Sequence, residues 1–173
     1  MNYYISDLHF HHFKIIELAS RPFNSVEEMN ETLIHNWNNK VTKHDRVYIL
    51  GDFSLGNKEQ TIKILNRLNG EKLLIKGNHS SVIKYADVKK KFGFVKDYYC
   101  KDKIVMFHYP MLSWRGSCKD WIHLYVHVHN NYPPIRMPNA YNCCVEVNNY
   151  EPCTLEEIIE NNERWWNNVC FEK

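Results

Sequence analysis

Eight side chains able to bind a cation or move a proton fall in short clusters along this chain: Asp7 and His9 in "SDLH", Asp52 in "GDF", Asn78 and His79 in "GNH", His108 in "FHYP", and His127 and His129 in "VHVH". Carboxylate, amide and imidazole donors together suit hard-to-intermediate divalent metals such as Mn, Fe or Zn better than a thiolate site does. The six cysteines form no CxxC pair and no zinc-finger spacing, so they read as free thiols of a reducing compartment. The last cluster is the densest. In "IHLYVHVHNN", residues 122–131, strand alternation puts His123, Tyr125, His127 and His129 on one face and Val126 and Val128 on the other.

Elements that can carry these side chains follow from the pattern of apolar residues. Four runs stop at a small polar cluster: "NYYISDLH", "RVYILGDF", "KLLIKGNH" and "KIVMFHYP". Each reads as a strand with ligand-type residues at its carboxyl end, where open α/β sheets build their sites. Helices separate them. Ser25 with Glu28 forms a capping-box pattern ahead of Val26, Met29, Leu33 and Trp37. Asn57 caps a segment carrying Ile62, Leu65 and Leu68 that stops near Gly70, and a third helix is predicted over "SVIKYADVKKKF". Thr154 with Glu157 repeats the capping box before "LEEIIENNERWW". The second half adds two strands about a Lys-Asp turn in residues 94–110, a short strand in "NCCVEVNNY" and a proline-rich loop, "YPPIRMP". A parallel α/β first half followed by mixed strands is the expectation.

Length and charge narrow the function classes. A chain of 173 residues suits one domain with a real core. A net charge of +2 gives no footprint for nucleic acid or membrane binding, and the lysines of "VKKKF" read as a solvated helix face. The strand-like start and the lack of a long apolar segment lead to the expectation of a cytoplasmic protein without a signal peptide or membrane span.

Taken in order, D-L-H, G-D, G-N-H, a separate His108 and H-x-H resemble the five motifs of the calcineurin-like metallophosphoesterases. Within that superfamily the chain resembles the small single-domain bacterial and phage-type phosphoesterases, which tend to carry the "RPF" seen at Arg21 and the "HYP" seen after the fourth motif. The resemblance implies an α/β sandwich of two mixed β-sheets flanked by α-helices, as one domain over residues 1–173. It implies two divalent ions, Mn first and Fe, Zn, Ni or Mg as the other candidates. One ion would be held by Asp7, His9, Asp52 and His129, the second by Asp52, Asn78, His108 and His127, with Asp52 bridging and the ions roughly 3.5–4 Å apart. The implied chemistry is hydrolysis of a phosphodiester, a cyclic nucleotide or a small phosphomonoester by in-line attack of hydroxide generated on the metals. His79, not a ligand, would protonate the leaving-group oxygen.

Two positions depart from the family pattern: Val126 stands where a glycine is usual, and Ser80 follows His79 where a carboxylate is usual. They motivate the competing reading, a catalytically impaired domain that keeps its metals or binds nucleotides. They also motivate an expectation that Val126 strains the ligand strand, so that Val126→Gly raises metal occupancy or turnover. His12, Arg21 and Arg115 are candidate contacts to substrate phosphate, with Arg136 a weaker one. Trp114 and Trp121 are expected in the core, with a stacking surface for a base as the alternative. The expected partner is a small phosphate ester or nucleotide rather than a nucleic-acid polymer or a membrane, and the sequence leaves the oligomeric state open.

Overall fold

The computed structural model describes residues 1–131 and 136–170, and the side chains of residues 1–131 and 136–168. Residues 132–135 of the expected proline-rich loop and the Cys170 thiol lie outside the described residues. The chain forms β1 (Asn2–Ile5), α1 (Lys14–Leu18), α2 (Val26–Lys40), β2 (Arg46–Ile49), α3 (Lys58–Arg67) and β3 (Glu71–Ile75). A short 3-10 turn (Ser81–Lys84) and α4 (Ala86–Lys89) precede β4 (Phe94–Lys96), β5 (Tyr98–Lys101), β6 (Ile104–Phe107), β7 (Ile122–Tyr125), β8 (Ala140–Asn142) and α5 (Leu155–Cys170). No helix among the described residues is long and apolar enough to cross a membrane.

Two four-stranded sheets face each other, ordered β1-β2-β3-β4 and β5-β6-β7-β8. The first is wholly parallel, which corrects the expectation of two mixed sheets. Only the second is mixed: β5 and β6 are antiparallel, and β6, β7 and β8 are parallel. The physical reason is visible in burial. Tyr3, Ile5, Val47, Ile49 and Leu74 point to the helices, while Tyr4, Tyr48, Leu50, Leu73 and Ile75 point to the second sheet. A strand covered on both faces needs apolar residues at every position, as these runs have.

The helices cover the outer face of the first sheet through Met29, Leu33, Trp37, Ile64 and Leu65. Trp37 is wholly buried, worth about 4–6 kcal/mol of apolar burial as an upper bound, and its indole N–H donates to the Asn69 carbonyl at 3.0 Å. Ser25 caps α2 by accepting from the Glu28 amide, but Glu28 turns its own carboxylate to Asn24. Asn57 with Gln60 and Thr154 with Glu157 make the reciprocal capping bonds. The single helix expected over residues 81–92 is broken in two, because Tyr85 takes an extended ψ of 119°.

The outer face of the second sheet is covered by the loop of residues 109–121 rather than by a helix. Val105, Tyr125 and Ala140 pack there with Trp114. Asp102 and Lys103, both at positive φ, form the two-residue turn of the β5–β6 hairpin. The strand expected in "NCCVEVNNY" is shorter and earlier: it ends at Asn142, whose side chain accepts from the Cys144 amide and turns the chain toward a bridge with Ser6.

His123, in β7, also packs on this outer face, against Trp114 at 5.2 Å between ring centroids. Its burial pushes its pKa down to about 4, against backbone carbonyl contacts that pull it up. The unfolded chain, with a histidine pKa of about 6.5, therefore takes up this proton first. Stability from this group is complete above pH 6.5 and is lost as pH falls toward 4, on the order of 3 kcal/mol in all. Denaturant unfolding at pH 7 and pH 4 should show a smaller acid loss in His123→Phe than in the parent; equal losses would contradict this.

Candidate metal centre

Because the strands are parallel, the segments leaving β1, β2, β3, β6 and β7 emerge on one side, and they bring the eight clustered side chains together. The backbone there is bent against its preference. Asp7, His9, Asp52, His127 and His129 sit at φ of 50°, 49°, 38°, 79° and 51°. Left-handed backbone costs a non-glycine residue on the order of 1 kcal/mol or more, and it persists only where surrounding bonds over-determine it. Those bonds are present. The His9 amide donates to the Asp52 carbonyl at 2.9 Å, the His79 amide to Asp52 Oδ1 at 2.8 Å, and the His127 amide to Asp7 Oδ2 at 3.0 Å.

Strand alternation is not what presents His127 and His129. β7 ends at Tyr125, and His123 and Tyr125 point to the outer face of the sheet. The two later histidines reach the site because each takes a left-handed turn after the strand has ended. Two glycines permit the close packing of the centre. A Cβ on Gly51, at φ 115°, would collide with the His108 ring, and one on Gly77 would collide with Asp52 Oδ1 and His108 Cε1.

Asp52 stands at the middle of the donor set. Its Oδ2 is 3.7 Å from His9 Nε2 and 3.7 Å from His108 Nε2. Asn78 Oδ1 lies 2.8 Å from His108 Nε2 and 3.1 Å from His127 Nδ1. Two donors about 2.1 Å from one ion stand roughly 3–3.5 Å apart; the Asn78–His127 separation falls in that range, and the two 3.7 Å separations about Asp52 lie a few tenths of an ångström outside it. His108 Nδ1 is 2.9 Å from the Leu50 carbonyl, which puts the proton on Nδ1 and leaves Nε2 as the donor lone pair. Asp7, Asp52 and His108 are all buried and form a group that can hold a metal ion.

Burial and charge fix the protonation states. Burial, then the Arg21 charge, pushes His9 down to about 2, so its ring is neutral and ready to ligate. Burial likewise lowers His127 and His12. Asp7 is pushed up by burial first, and the nearby Asp52 charge adds to the effect. Asp7 Oδ1 and His9 Nε2 are buried with no hydrogen-bond partner. A carboxyl oxygen and an imidazole nitrogen buried without partners are costly, and a divalent cation is a group that could satisfy each.

Three residues behind the donors carried no motif in the sequence. The Glu146 side chain is buried, and its Oε1 accepts from His129 Nδ1 at 3.0 Å and from Arg21 Nε and Nη2 at 2.9 and 2.7 Å. Burial would raise its pKa, but the His129 bond and the Arg21 charge hold it below the usual carboxylate range. Burial also works against a charged His129, but the bond and charge of Glu146 outweigh it and its pKa is raised. Cys144 donates to Asp7 Oδ2 at 2.8 Å, and burial pushes its thiol well up, so it is a donor to a carboxylate and not a thiolate ligand. Asn142 donates to the His129 carbonyl at 2.7 Å. The available signal was a lone carboxylate inside the apolar run "CCVEV".

The expected phosphate contacts fare unevenly. Arg21 is corrected: its guanidinium is buried on Glu146 and on the Asp7 and Leu8 carbonyls, at 2.6 and 3.0 Å, and turns no face to substrate. His12 is half-exposed, with Nδ1 3.2 Å from His9 Nδ1. Arg115 is exposed and stacks over Trp121, and exposed Arg136 pairs with Glu163. Trp114 is in the core, its indole donating to the Trp121 carbonyl. His79 is exposed at the mouth, its ring 5.7 Å from His9 and 6.5 Å from His12. Ser80, in place of a carboxylate, accepts from the Gly77 amide at 2.9 Å and braces the loop.

Val126 does not strain the centre. It keeps a negative φ, its amide donates to the His108 carbonyl, and its side chain is buried between the sheets with Leu124 and Cys143. The strain account is therefore corrected. Val126→Gly loses a buried side chain worth about 1.5–3 kcal/mol and about 0.5–1 kcal/mol of backbone entropy. The variant should melt lower and gain neither metal nor turnover; a gain in metal content would restore the strain account.

No family model matches the chain. Among solved structures, the protein of unknown function AQ665 from Aquifex aeolicus superposes with a TM-score of 0.70 and 26% identity, over 92% of this chain and 98% of that one. The Pseudomonas putida nuclease MPE shares the fold at a TM-score of 0.51 and 18% identity, over 74% of this chain and 60% of that one. The Gene 66 protein of Mycobacterium phage L5 is 39% identical over 80 residues, 44% of this chain and 38% of that protein. Uncharacterized protein MJ1445 of Methanocaldococcus jannaschii is 41% identical over 165 residues, 91% of this chain and 89% of the relative. With that identity along nearly all of both chains, this protein belongs to the family of MJ1445.

Proposed function

We propose that this protein is a dinuclear metal-dependent phosphoesterase of the calcineurin-like superfamily, acting on a small phosphodiester, cyclic nucleotide or phosphomonoester. The observation that carries the reading is the position of Asp52 Oδ2, equally close to His9 Nε2 and His108 Nε2, in one buried group with Asp7 and His108. The fold shared with a nuclease supports it. Asp7, His9, Asp52 and His129 would hold one ion; Asp52, Asn78, His108 and His127 would hold the other. When bound, the ions supply Lewis acidity toward phosphoryl oxygens and activate water near neutral pH. Mn fits the donor set, and Fe, Zn, Ni or Mg are alternatives.

The chain's own groups do the rest. Glu146 orients the His129 ring, and the backbone bonds to Asp52 and Asp7 hold the loops in register. His79, exposed with its ring 5.7 Å from that of His9, would give a proton to a departing oxygen. His79→Ala should retain metal and lose turnover most on esters with poor leaving groups, by about 10²–10⁴-fold, because a nitrophenolate needs little protonation. Equal losses on good and poor leaving groups would contradict the acid role.

A net charge of +2 favours a small substrate over a polymer. The test is hydrolysis of bis-p-nitrophenyl phosphate and p-nitrophenyl phosphate by chelator-stripped protein with Mn restored. Turnover that returns with metal and disappears with chelator supports the enzyme. Tight metal binding without turnover supports the impaired metal- or nucleotide-binding domain instead.

A further inference from the structure

An aromatic series on the outer face of the second sheet ends at the candidate metal centre. Tyr109, next in sequence to His108, is 39% exposed, with its ring 5.0 Å from the His108 ring and 4.7 Å from that of His127. Phe107 follows at 5.6 Å from Tyr109. Tyr98, 42% exposed, follows at 6.4 Å from Phe107 and is its cross-strand partner in the β5–β6 register. All these separations are those of rings in contact. Arg115, exposed on the same side, lies near enough for its charge to act on the Tyr98 phenol.

Folding alone gives little reason for this arrangement. Two tyrosines about two-fifths exposed contribute less burial than they would inside, and the core of this face is already made by Trp114, Tyr125 and Val105. The two tryptophans that the sequence offers as stacking surfaces are not available for it, Trp114 being buried and Trp121 lying under Arg115. Among the described residues, Tyr109 is a tyrosine ring that reaches both the candidate ligands and solvent.

The geometry points to a base-binding subsite: the substrate carries a nucleobase that stacks on Tyr109 while its phosphate meets the ion that His127, His108 and Asn78 would hold. A nucleotide separates phosphate from base by one ribose, and the exposed Tyr109 ring stands one ring contact, 4.7 Å between centroids, from His127. Base-on-aromatic stacking accepts every base, because every base has a π-face, so the subsite selects nucleotides over other phosphate esters without selecting among bases. Phe107, Tyr98 and Arg115 continue the surface for a second nucleoside across a diester. A face of flat rings with one guanidinium suits such a ligand better than an aliphatic one. The inference rests on the phosphoesterase reading of the centre and adds the substrate class to it.

The test is binding, separate from turnover. Adenosine 5′-monophosphate and ribose 5-phosphate are titrated against the manganese-loaded full chain, its Tyr109→Ala variant and its Tyr109→Trp variant. The parent should prefer the nucleotide by about tenfold or more. Tyr109→Ala should bring that ratio close to one, and Tyr109→Trp should keep it. Equal affinities in the parent, or the same ratio in Tyr109→Ala, overturn the subsite. A concentration-dependent dimer that Tyr109→Ala dissolves without changing the ratio also overturns it, because the face is then an interface between copies. Bis-p-nitrophenyl phosphate hydrolysis on the same parent preparation separates the two readings. A base preference without hydrolysis keeps the subsite and rejects the enzyme, whereas hydrolysis without a base preference does the reverse.

Discussion

Asp52→Asn should abolish tight metal binding and lower turnover by at least about 100-fold, while leaving the metal-free protein as stable as the parent or more stable. The two halves of the expectation have one cause. Asparagine can still accept the His79 amide through Oδ1, so the loop bond at 2.8 Å survives. It removes the negative charge placed between His9 Nε2 and His108 Nε2, which both ions would share. Without metal, that charge is a liability: after burial itself, Asp52 helps push the Asp7 carboxyl up, so removing it relieves a buried repulsion. Loss of even a residue that only supports a ligand costs 10–100-fold in affinity, and a shared ligand should cost more. Metal content after dialysis and thermal melts with and without Mn check both halves. A variant that keeps two metals, or loses stability without metal, contradicts the bridging assignment.

Glu146→Ala should destabilise the protein by about 3–5 kcal/mol and weaken metal binding by about 10–100-fold. Arg21 would be left buried with its charge unpaired, keeping only the Asp7 and Leu8 carbonyls, and breaking one side of a buried pair is what makes such a loss large. His129 would lose the oxygen that fixes its ring at 3.0 Å. Glu146→Gln separates the effects. It keeps the volume and one acceptor oxygen, so it should retain more stability than alanine yet still lose metal affinity, because the charge that raises the basicity of His129 is gone. Denaturant melts and metal titrations on both variants test this; unchanged metal affinity in either would reject Glu146 as a positioning residue.

What the sequence made legible and what it hid differ in range. Strands whose apolar runs end in Asp or His were readable because burial on two faces and a polar stop are local signals. The starts of α2, α3 and α5 were readable from Ser25, Asn57 and Thr154 for the same reason. Alternation does not account for His127 and His129 together, since the strand ends two residues before His127 and the left-handed turn at His127 is held by Asp7, 120 residues away in sequence. Arg21 and Glu146, 125 residues apart, could not be matched by spacing at all. The helix expected over residues 81–92 failed because Tyr85 is extended between two short turns, although its apolar spacing is helical. Val126 departs from a family pattern without a steric cost, because its side chain takes a place in the core between the sheets.

The central claim is that the strand ends of this fold hold two cations across one shared carboxylate. Anomalous diffraction at the manganese edge from crystals grown with Mn tests it most directly. The account predicts two peaks, one against His9 and one against His108, with Asp52 touching both. A single peak, no peak, or metal placed away from Asp52 would contradict it.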